Sequence, residues 1–160
     1  MMNEPNDWKL PWDAACRCGK VRMRISAPPM LTMACHCRGC QRMTASAYSL
    51  SVAVPATGFA VTQGEPEVGG LHGTSKHFHC GYCKSWLFTR PEGMDEMVNV
   101  RASMLELPQL RAWLVVWAET YTSEGFAWAK TGAKHSFPKF PEVGAFGPIL
   151  EEFAKSAPRP

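Results

Sequence analysis

The sequence predicts a mainly β domain held together by metal, and three observations point there. Apolar residues recur at period two in short runs, the 13 prolines and 13 glycines are scattered between those runs as turns, and all seven cysteines fall into three tight clusters. At 160 residues, 46% hydrophobic and 11% aromatic, the chain has material for one core and is read as a single domain over 1–160. That content excludes a chain dominated by disorder. The longest unbroken apolar stretch, Ala112 to Ala118, is far shorter than the roughly 20 residues of a membrane-spanning helix. The amino-terminal residues mix Asn, Asp, Glu and Pro, without the basic-then-apolar layout of a secretory signal, so the cytoplasm is the expected compartment.

The elements follow in order. Val21, Met23 and Ile25 alternate with Arg22 and Arg24, a half-buried strand that Pro28-Pro29 ends; the next strand starts near Met30. From Tyr48 the apolar residues Tyr48, Leu50, Val52 and Val54 alternate with Ser49, Ser51 and Ala53 until Pro55 stops the run. Further strands are expected at Gly58 to Thr62, Ser75 to His79, Trp86 to Thr89, Met97 to Ala102 and Trp113 to Trp117, each bounded by Gly, Pro or charge. The helical signal is short: Ile149 to Phe153, with Glu151-Glu152 outward, makes one or two turns.

The cysteine clusters are Cys16-Arg17-Cys18, Cys35-His36-Cys37-Arg38-Gly39-Cys40 and Cys80-Gly81-Tyr82-Cys83. Cysteine is only about 4% of the chain, below the roughly 8–10% of disulfide scaffolds, and the number is odd, so metal is favoured over disulfides. Extended C-x-C puts two sulfurs on one side, and a C-x-x-C turn does so by curling, with Gly19, Gly39 and Gly81 placed to let the backbone fold tightly. Cys16, Cys18, Cys80 and Cys83 complete a closed four-sulfur zinc site, a structural arrangement. Cys35, Cys37 and Cys40 hold a second zinc and leave one position open, the arrangement of a catalytic site. A histidine, His72, His77 or His79, is the alternative that would close that site. His36 between Cys35 and Cys37 should point to the opposite face of an extended segment.

Between Ala14 and Gly64 the chain carries Arg17, Lys20, Arg22, Arg24, Arg38 and Arg42 and no acid. Two zinc ions on seven thiolates bring a charge of −3, which cancels the formal +3 of the chain, so the excess balances sulfur rather than nucleic acid. Trp113, Trp117, Tyr121 and Trp128 lack interleaved basic residues and are read as core, not as a base-stacking platform. Arg38 and Arg42 are the candidates to grip an anionic substrate beside the open metal position. Tyr48, His36, His72, His77 and His79 are the conceivable proton carriers.

The order CRCG-x-V-R, CHCRGCQR-x-T and HCGYC resembles the glutathione-dependent formaldehyde-activating enzyme family, also called the Gfa or centromere-protein-V domain family, over a core of about 12–140. The resemblance implies an Mss4-like fold of several small coiled β-sheets and the same division of zinc ligands: Cys16, Cys18, Cys80 and Cys83 structural, Cys35, Cys37 and Cys40 catalytic. It implies a carbon–sulfur lyase or synthase acting on glutathione adducts of formaldehyde or another small aldehyde. A non-catalytic thiol-adduct carrier and a zinc-stabilised interaction module are the alternatives. Two departures stand out, because members of the family commonly carry Gly where this chain has Ala45 and Lys84.

Overall fold

The computed structural model describes residues 5–71, 73–106, 108 and 110–160. Eleven strands form among these residues: β1 Trp12–Ala15, β2 Arg22–Ile25, β3 Leu31–Cys35, β4 Ser49–Pro55, β5 Phe59–Gln63, β6 Pro66–Gly69, β7 Lys76–Cys80, β8 Trp86–Arg90, β9 Met97–Arg101, β10 Ala118–Thr120 and β11 His135–Ser136. The helices are α1 Arg38–Thr44, α2 Leu110–Trp113 and α3 Phe146–Ser156. The expected mainly β architecture is present. One sheet has the order β1-β2-β5; the other runs β11-β10-β3-β4-β9-β8-β7-β6. β10 lies parallel to β3 and β11, and the remaining pairs are antiparallel.

Strand register sorts the larger sheet into two chemically different faces. Val52 and Val54 oppose Val100 and Val98, Phe88 opposes Val100, and Phe78 opposes Phe88. These residues share one hydrophobic cluster with Trp12, Met23 and Ile25 of the smaller sheet, and the ring of Phe59 meets that of Phe88 at 4.8 Å. The other face carries Cys35 opposite Ser49, Ser51 opposite Arg101, and Thr89 between His77 and Asn99. Ser49, Ser51 and Ala53 are therefore buried as well, and β4 is covered on both sides rather than half exposed.

The remaining apolar material closes one end of the core. Trp8 and Trp12 pack edge-on at 6.0 Å, Trp113 lies 5.3 Å from Trp12, and Phe153 of α3 stacks on Trp8 and meets Trp117 edge-on. Phe146, Ile149, Leu150 and Phe153 recur at helical spacing along α3, and fully burying a residue such as Ile149 or Phe153 is worth roughly 1.5–3 kcal/mol. The helix is longer than the expected Ile149 to Phe153. Pro148 falls in its first turn, where a missing N–H breaks no intrahelical bond.

Two expectations are corrected. Trp113 to Trp117 is not a strand: Trp113 ends α2, and the strand is Ala118–Thr120, directly after it. The indoles of Trp113 and Trp117 are drawn into the aromatic cluster instead, while Trp117 already joins β3 through its backbone N–H to the Thr32 carbonyl. Trp128 is not core; it is 74% exposed and stacks on Phe126.

Glu119 ties the parallel edge of the larger sheet. Its Oε1 accepts from Ser136 on β11 at 2.6 Å, and its Oε2 accepts from Thr131 at 2.7 Å and from Nε2 of buried His36 at 2.8 Å. Burial alone would raise the carboxyl's pKa, but the Ser136, Thr131 and His36 hydrogen bonds win and hold it below its ordinary value of 4.5. A depressed carboxylate stabilises the fold above its unfolded pKa and loses that contribution as pH falls through the folded value. Glu119→Gln is thus expected to lower stability at neutral pH by about 1–3 kcal/mol and to flatten the acid limb of the stability–pH curve below pH 4.5, read by urea denaturation. Parallel acid limbs in the two proteins would refute the linkage.

Ala45 closes α1 in the left-handed region at φ 50°, its N–H donating to the Gln41 carbonyl. A Cβ there costs roughly 1–2 kcal/mol, partly offset by the freer unfolded chain of glycine. Ala45→Gly is expected to raise stability by about 0.5–1 kcal/mol with unchanged metal content; an unchanged or lower denaturation midpoint would show no strain at this cap.

Candidate metal centres and the adjoining cleft

The first sulfur cluster joins the two sheets. Cys16 and Cys18 occupy the turn between β1 and β2, and Cys80 and Cys83 the hairpin between β7 and β8; the four sulfurs lie within 4.8 Å of one another. The Sγ separations of 3.4 Å for Cys16–Cys18 and 3.8 Å for Cys18–Cys80 approach the ~3.8 Å that tetrahedral ligands at about 2.3 Å from a zinc would have. The cluster favours the thiolates of Cys16 and Cys83, whereas Cys18, despite the Lys20 N–H, is pushed up to about 11 by desolvation and the other three sulfurs. The Val21 N–H points at the Cys16 sulfur, and the Ser85 hydroxyl, 3.2 Å from the Cys83 sulfur, holds that thiol down to about 5 against desolvation. Of the three flanking glycines, Gly19 takes φ 75°, Gly39 lies within α1, and the left-handed residue of the C-x-x-C hairpin is Lys84 at φ 59°.

The second cluster sits where β3 runs into α1. Cys35 is the last residue of β3, set between Ser49 of β4 and Thr120 of β10, and the sulfurs of Cys35, Cys37 and Cys40 lie within 4.8 Å of one another. The C-x-x-C segment is a helix start rather than a free turn: Cys37 caps α1, its sulfur accepting from the Cys40 N–H at 3.3 Å. Proximity makes the thiols oppose one another's ionisation. Cys37 is the main influence raising Cys35, and Cys35 and then Cys37 drive Cys40 far above the ordinary thiol range. A dication removes that conflict, so the donor set suits a metal at both clusters. Among the described residues no histidine joins either set.

The histidines have other places. His77 receives the Thr89 hydroxyl on Nδ1 at 2.7 Å and meets Trp86 edge-on, and His79 stacks on Trp86. The Thr89 oxygen also accepts from Trp86 Nε1 at 3.2 Å and Arg101 Nη2 at 3.0 Å, both obligate donors; its own proton must go to His77, which is then the Nε2–H tautomer. His72 lies outside the described residues. His36 faces away from the sulfurs towards Glu119, as expected, with its ring 5.2 Å from that of Tyr48.

Arg38 and Arg42 are exposed on α1; the Arg38 guanidinium donates to Gln41 Oε1, and its backbone N–H donates to Glu124 Oε2. The cation that sequence reasoning missed is Arg101. It is 7% exposed, its guanidinium lies 3.9 Å over the Trp86 ring, and it feels the charges of Cys40 and Cys35. Burial pushes its pKa down to about 10, with those sulfurs opposing, and it stays a cation at neutral pH. The available signal was a charged residue closing the apolar-alternating run from Met97. Tyr121 is also placed differently from the expected core: it packs against the second cluster at φ 58°, and burial together with Cys35, Cys37, Glu124 and Cys40 keeps its hydroxyl protonated. Next to this cluster opens a cleft of about 480 Å³, reached by Trp86, Arg101, Tyr48 and Lys84.

None of the curated proteins compared matches the chain. Among solved structures, a crystal structure of a Rhodobacter sphaeroides protein, a structural-genomics target, superposes with a TM-score of 0.51 at 18% identity, covering 62% of this chain and 94% of that one. At that identity the likeness is one of fold. Among family profiles, the one described as glutathione-dependent formaldehyde-activating enzyme matches residues 11–123, a span that holds all seven cysteines and Arg101. With both sulfur clusters assembled inside the matched segment, the chain belongs to the glutathione-dependent formaldehyde-activating enzyme family.

Proposed function

We propose that the protein is a zinc-dependent carbon–sulfur lyase or synthase that breaks or makes the bond between the sulfur of glutathione, or a similar thiol, and the carbonyl carbon of formaldehyde or another small aldehyde. The observation that carries this reading is the cluster of Cys35, Cys37 and Cys40, three sulfurs with no fourth protein donor among the described residues, beside a cleft. Cys16, Cys18, Cys80 and Cys83 would hold a structural zinc, and Cys35, Cys37 and Cys40 a catalytic one. When bound at the second set, zinc supplies the positive field that lets a substrate thiol lose its proton at neutral pH.

The chain's own groups do the rest. In the synthetic direction the thiol sulfur bonds to the carbonyl carbon, and the thiol proton ends on the new hydroxyl oxygen; the reverse step returns it. Tyr121, which packs against the second cluster, is the group we assign to carry that proton. Arg101 offsets the −1 charge of three thiolates on a dication, and Arg38 and Arg42, exposed on α1, attract an anionic thiol from solvent. Trp86 and Met43 pack against Cys37 and Cys40 and shield one side of the centre from water.

Serine caps a helix as well as a cysteine thiol does, so Cys37→Ser removes a ligand and leaves α1 capped. The wild type is expected to carry two zincs by elemental analysis, to bind glutathione by calorimetry and to speed the exchange of labelled formaldehyde with its glutathione adduct, followed by NMR. Cys37→Ser is expected to lose one zinc, glutathione binding and the exchange together. Binding with no acceleration in the wild type would make the protein a carrier, and two zincs with no binding would end the thiol reading.

A further inference from the structure

The four-sulfur cluster links the two sheets, but its sulfurs are unequally protected from solvent. Cys16 and Cys80 are buried, at 4% and 1% exposure, and Cys83 is half-buried, whereas Cys18 is the one exposed cysteine of the seven. The second cluster is better guarded: Cys37 and Cys40 are buried, Cys35 is half-buried, and Met43, Trp86 and Tyr121 pack against them. Exposure and thiolate character together decide which cysteine an oxidant meets first. A cysteine that ligates a metal is deprotonated outright, so in the loaded cluster Cys18 combines the two.

Cys18 also has a resolving partner in reach. The Cys80 sulfur lies 3.8 Å away, so a bond of about 2.05 Å needs a movement of under about 2 Å. The Cys16 sulfur is nearer, at 3.4 Å, but it is held by the Val21 N–H, and a ring closed between residues 16 and 18 is too small for a relaxed disulfide dihedral. Cys18 comes from the turn between β1 and β2 and Cys80 from the end of β7, so their bond would join the two sheets as the metal does. Contacts that use no sulfur hold the two segments together meanwhile. The Arg17 N–H donates to the Ser85 hydroxyl at 3.2 Å, and Gln63 Nε2 donates to the Gly19 and Lys20 carbonyls at 3.3 and 3.4 Å.

We infer that Cys18 is an oxidation site for hydrogen peroxide and that Cys80 resolves it, so that a Cys18–Cys80 disulfide replaces the metal as the link between the sheets. The inference is independent of the thiol reading of the second cluster. The Cys18 thiolate attacks one peroxide oxygen and the O–O bond breaks, giving a sulfenic acid and hydroxide. The Cys80 thiolate then displaces a second hydroxide from the Cys18 sulfur, and two protons from solvent complete two waters. Two electrons pass from the sulfurs to the peroxide oxygens. Cys16 and Cys83 are then the remaining ligands, too few for a structural site, and the zinc is released.

The test uses the zinc-loaded chain, hydrogen peroxide and a colorimetric zinc indicator. One of two zincs is expected to be released, and dithiothreitol with added zinc is expected to restore it. Trypsin cuts after Lys9, Arg17, Lys20, Lys76 and Lys84, which puts Cys16, Cys18 and the Cys80/Cys83 pair on the separate peptides 10–17, 18–20 and 77–84. Non-reducing mass spectrometry is expected to find 18–20 bonded to 77–84, with fragmentation between Cys80 and Cys83 placing the bond on Cys80 and with Cys35, Cys37 and Cys40 still open to alkylation. Cys18→His keeps four zinc ligands without the exposed sulfur, and is expected to carry two zincs and to release zinc to peroxide at least about tenfold more slowly. With all zinc removed by chelator, the oxidised protein is expected to unfold at a higher temperature than the reduced one. Zinc retained under peroxide, a first disulfide at any other pair, or release from zinc-loaded Cys18→His at the wild-type rate overturns the site; should Cys18→His fail to load, the wild-type peptide map decides. Equal unfolding temperatures of the two zinc-free forms overturn the disulfide as the replacement link.

Discussion

Mutual repulsion among crowded thiols is the constraint on which the rest of this structure depends. Seven sulfurs are gathered into two groups, each tight enough that its members cannot all ionise unless a cation joins them. In the four-sulfur group this ties the turn after β1 to the hairpin between β7 and β8, and so ties the smaller sheet to the larger one across the core that both share. In such arrangements metal affinity and folding free energy are coupled, so a metal held by these four sulfurs would reinforce the apolar contact between Phe59 and Phe88.

The larger sheet resolves a second conflict. A strand such as β4 must present apolar side chains to the core and yet border a polar site. It does so by strict alternation, with Val52 and Val54 on one face and Ser49 and Ser51 on the other. The small hydroxyl residues leave room for Cys35 and Arg101 next to them in register, and α1 turns back over this end of the sheet from Cys37. Two segments far apart in the sequence therefore arrive at one place, β3 through Cys35 and β10 through Thr120, which are partners on parallel strands.

Most strands were legible because period-two alternation and Pro or Gly boundaries are local signals: β2, β4, β5, β7, β8 and β9 lie within a residue or so of where the sequence places them. The cysteine groups were legible because spacing alone restricts which sulfurs can meet. What escaped was decided by distant partners. α1 lacks the usual Ser, Thr, Asp or Asn at its cap, and a thiol does that work. β10 is three residues long and contains Glu119, whose charge is accommodated only because Ser136, Thr131 and His36 converge on it. Arg101 reads as the polar end of a strand, and its burial follows from Trp86 and Thr89 on the neighbouring strand. Ala45 and Lys84, noticed as departures from a glycine pattern, prove to lie where the backbone is left-handed, as Tyr121 and Gly19 also do, which explains the pattern they depart from.

A single hydroxyl oxygen, that of Thr89, receives Trp86 and Arg101 and passes its proton to His77. Its capacity is full, one donor and two acceptors used, with contributions from β7, β8 and β9. Residues meeting at a saturated atom do not evolve independently. A change at any one of the four strands an unmet donor or acceptor in a buried setting, so tolerated substitutions there should arise as coordinated sets, and lineages of this family would be separated at these positions by valleys rather than by gentle drift.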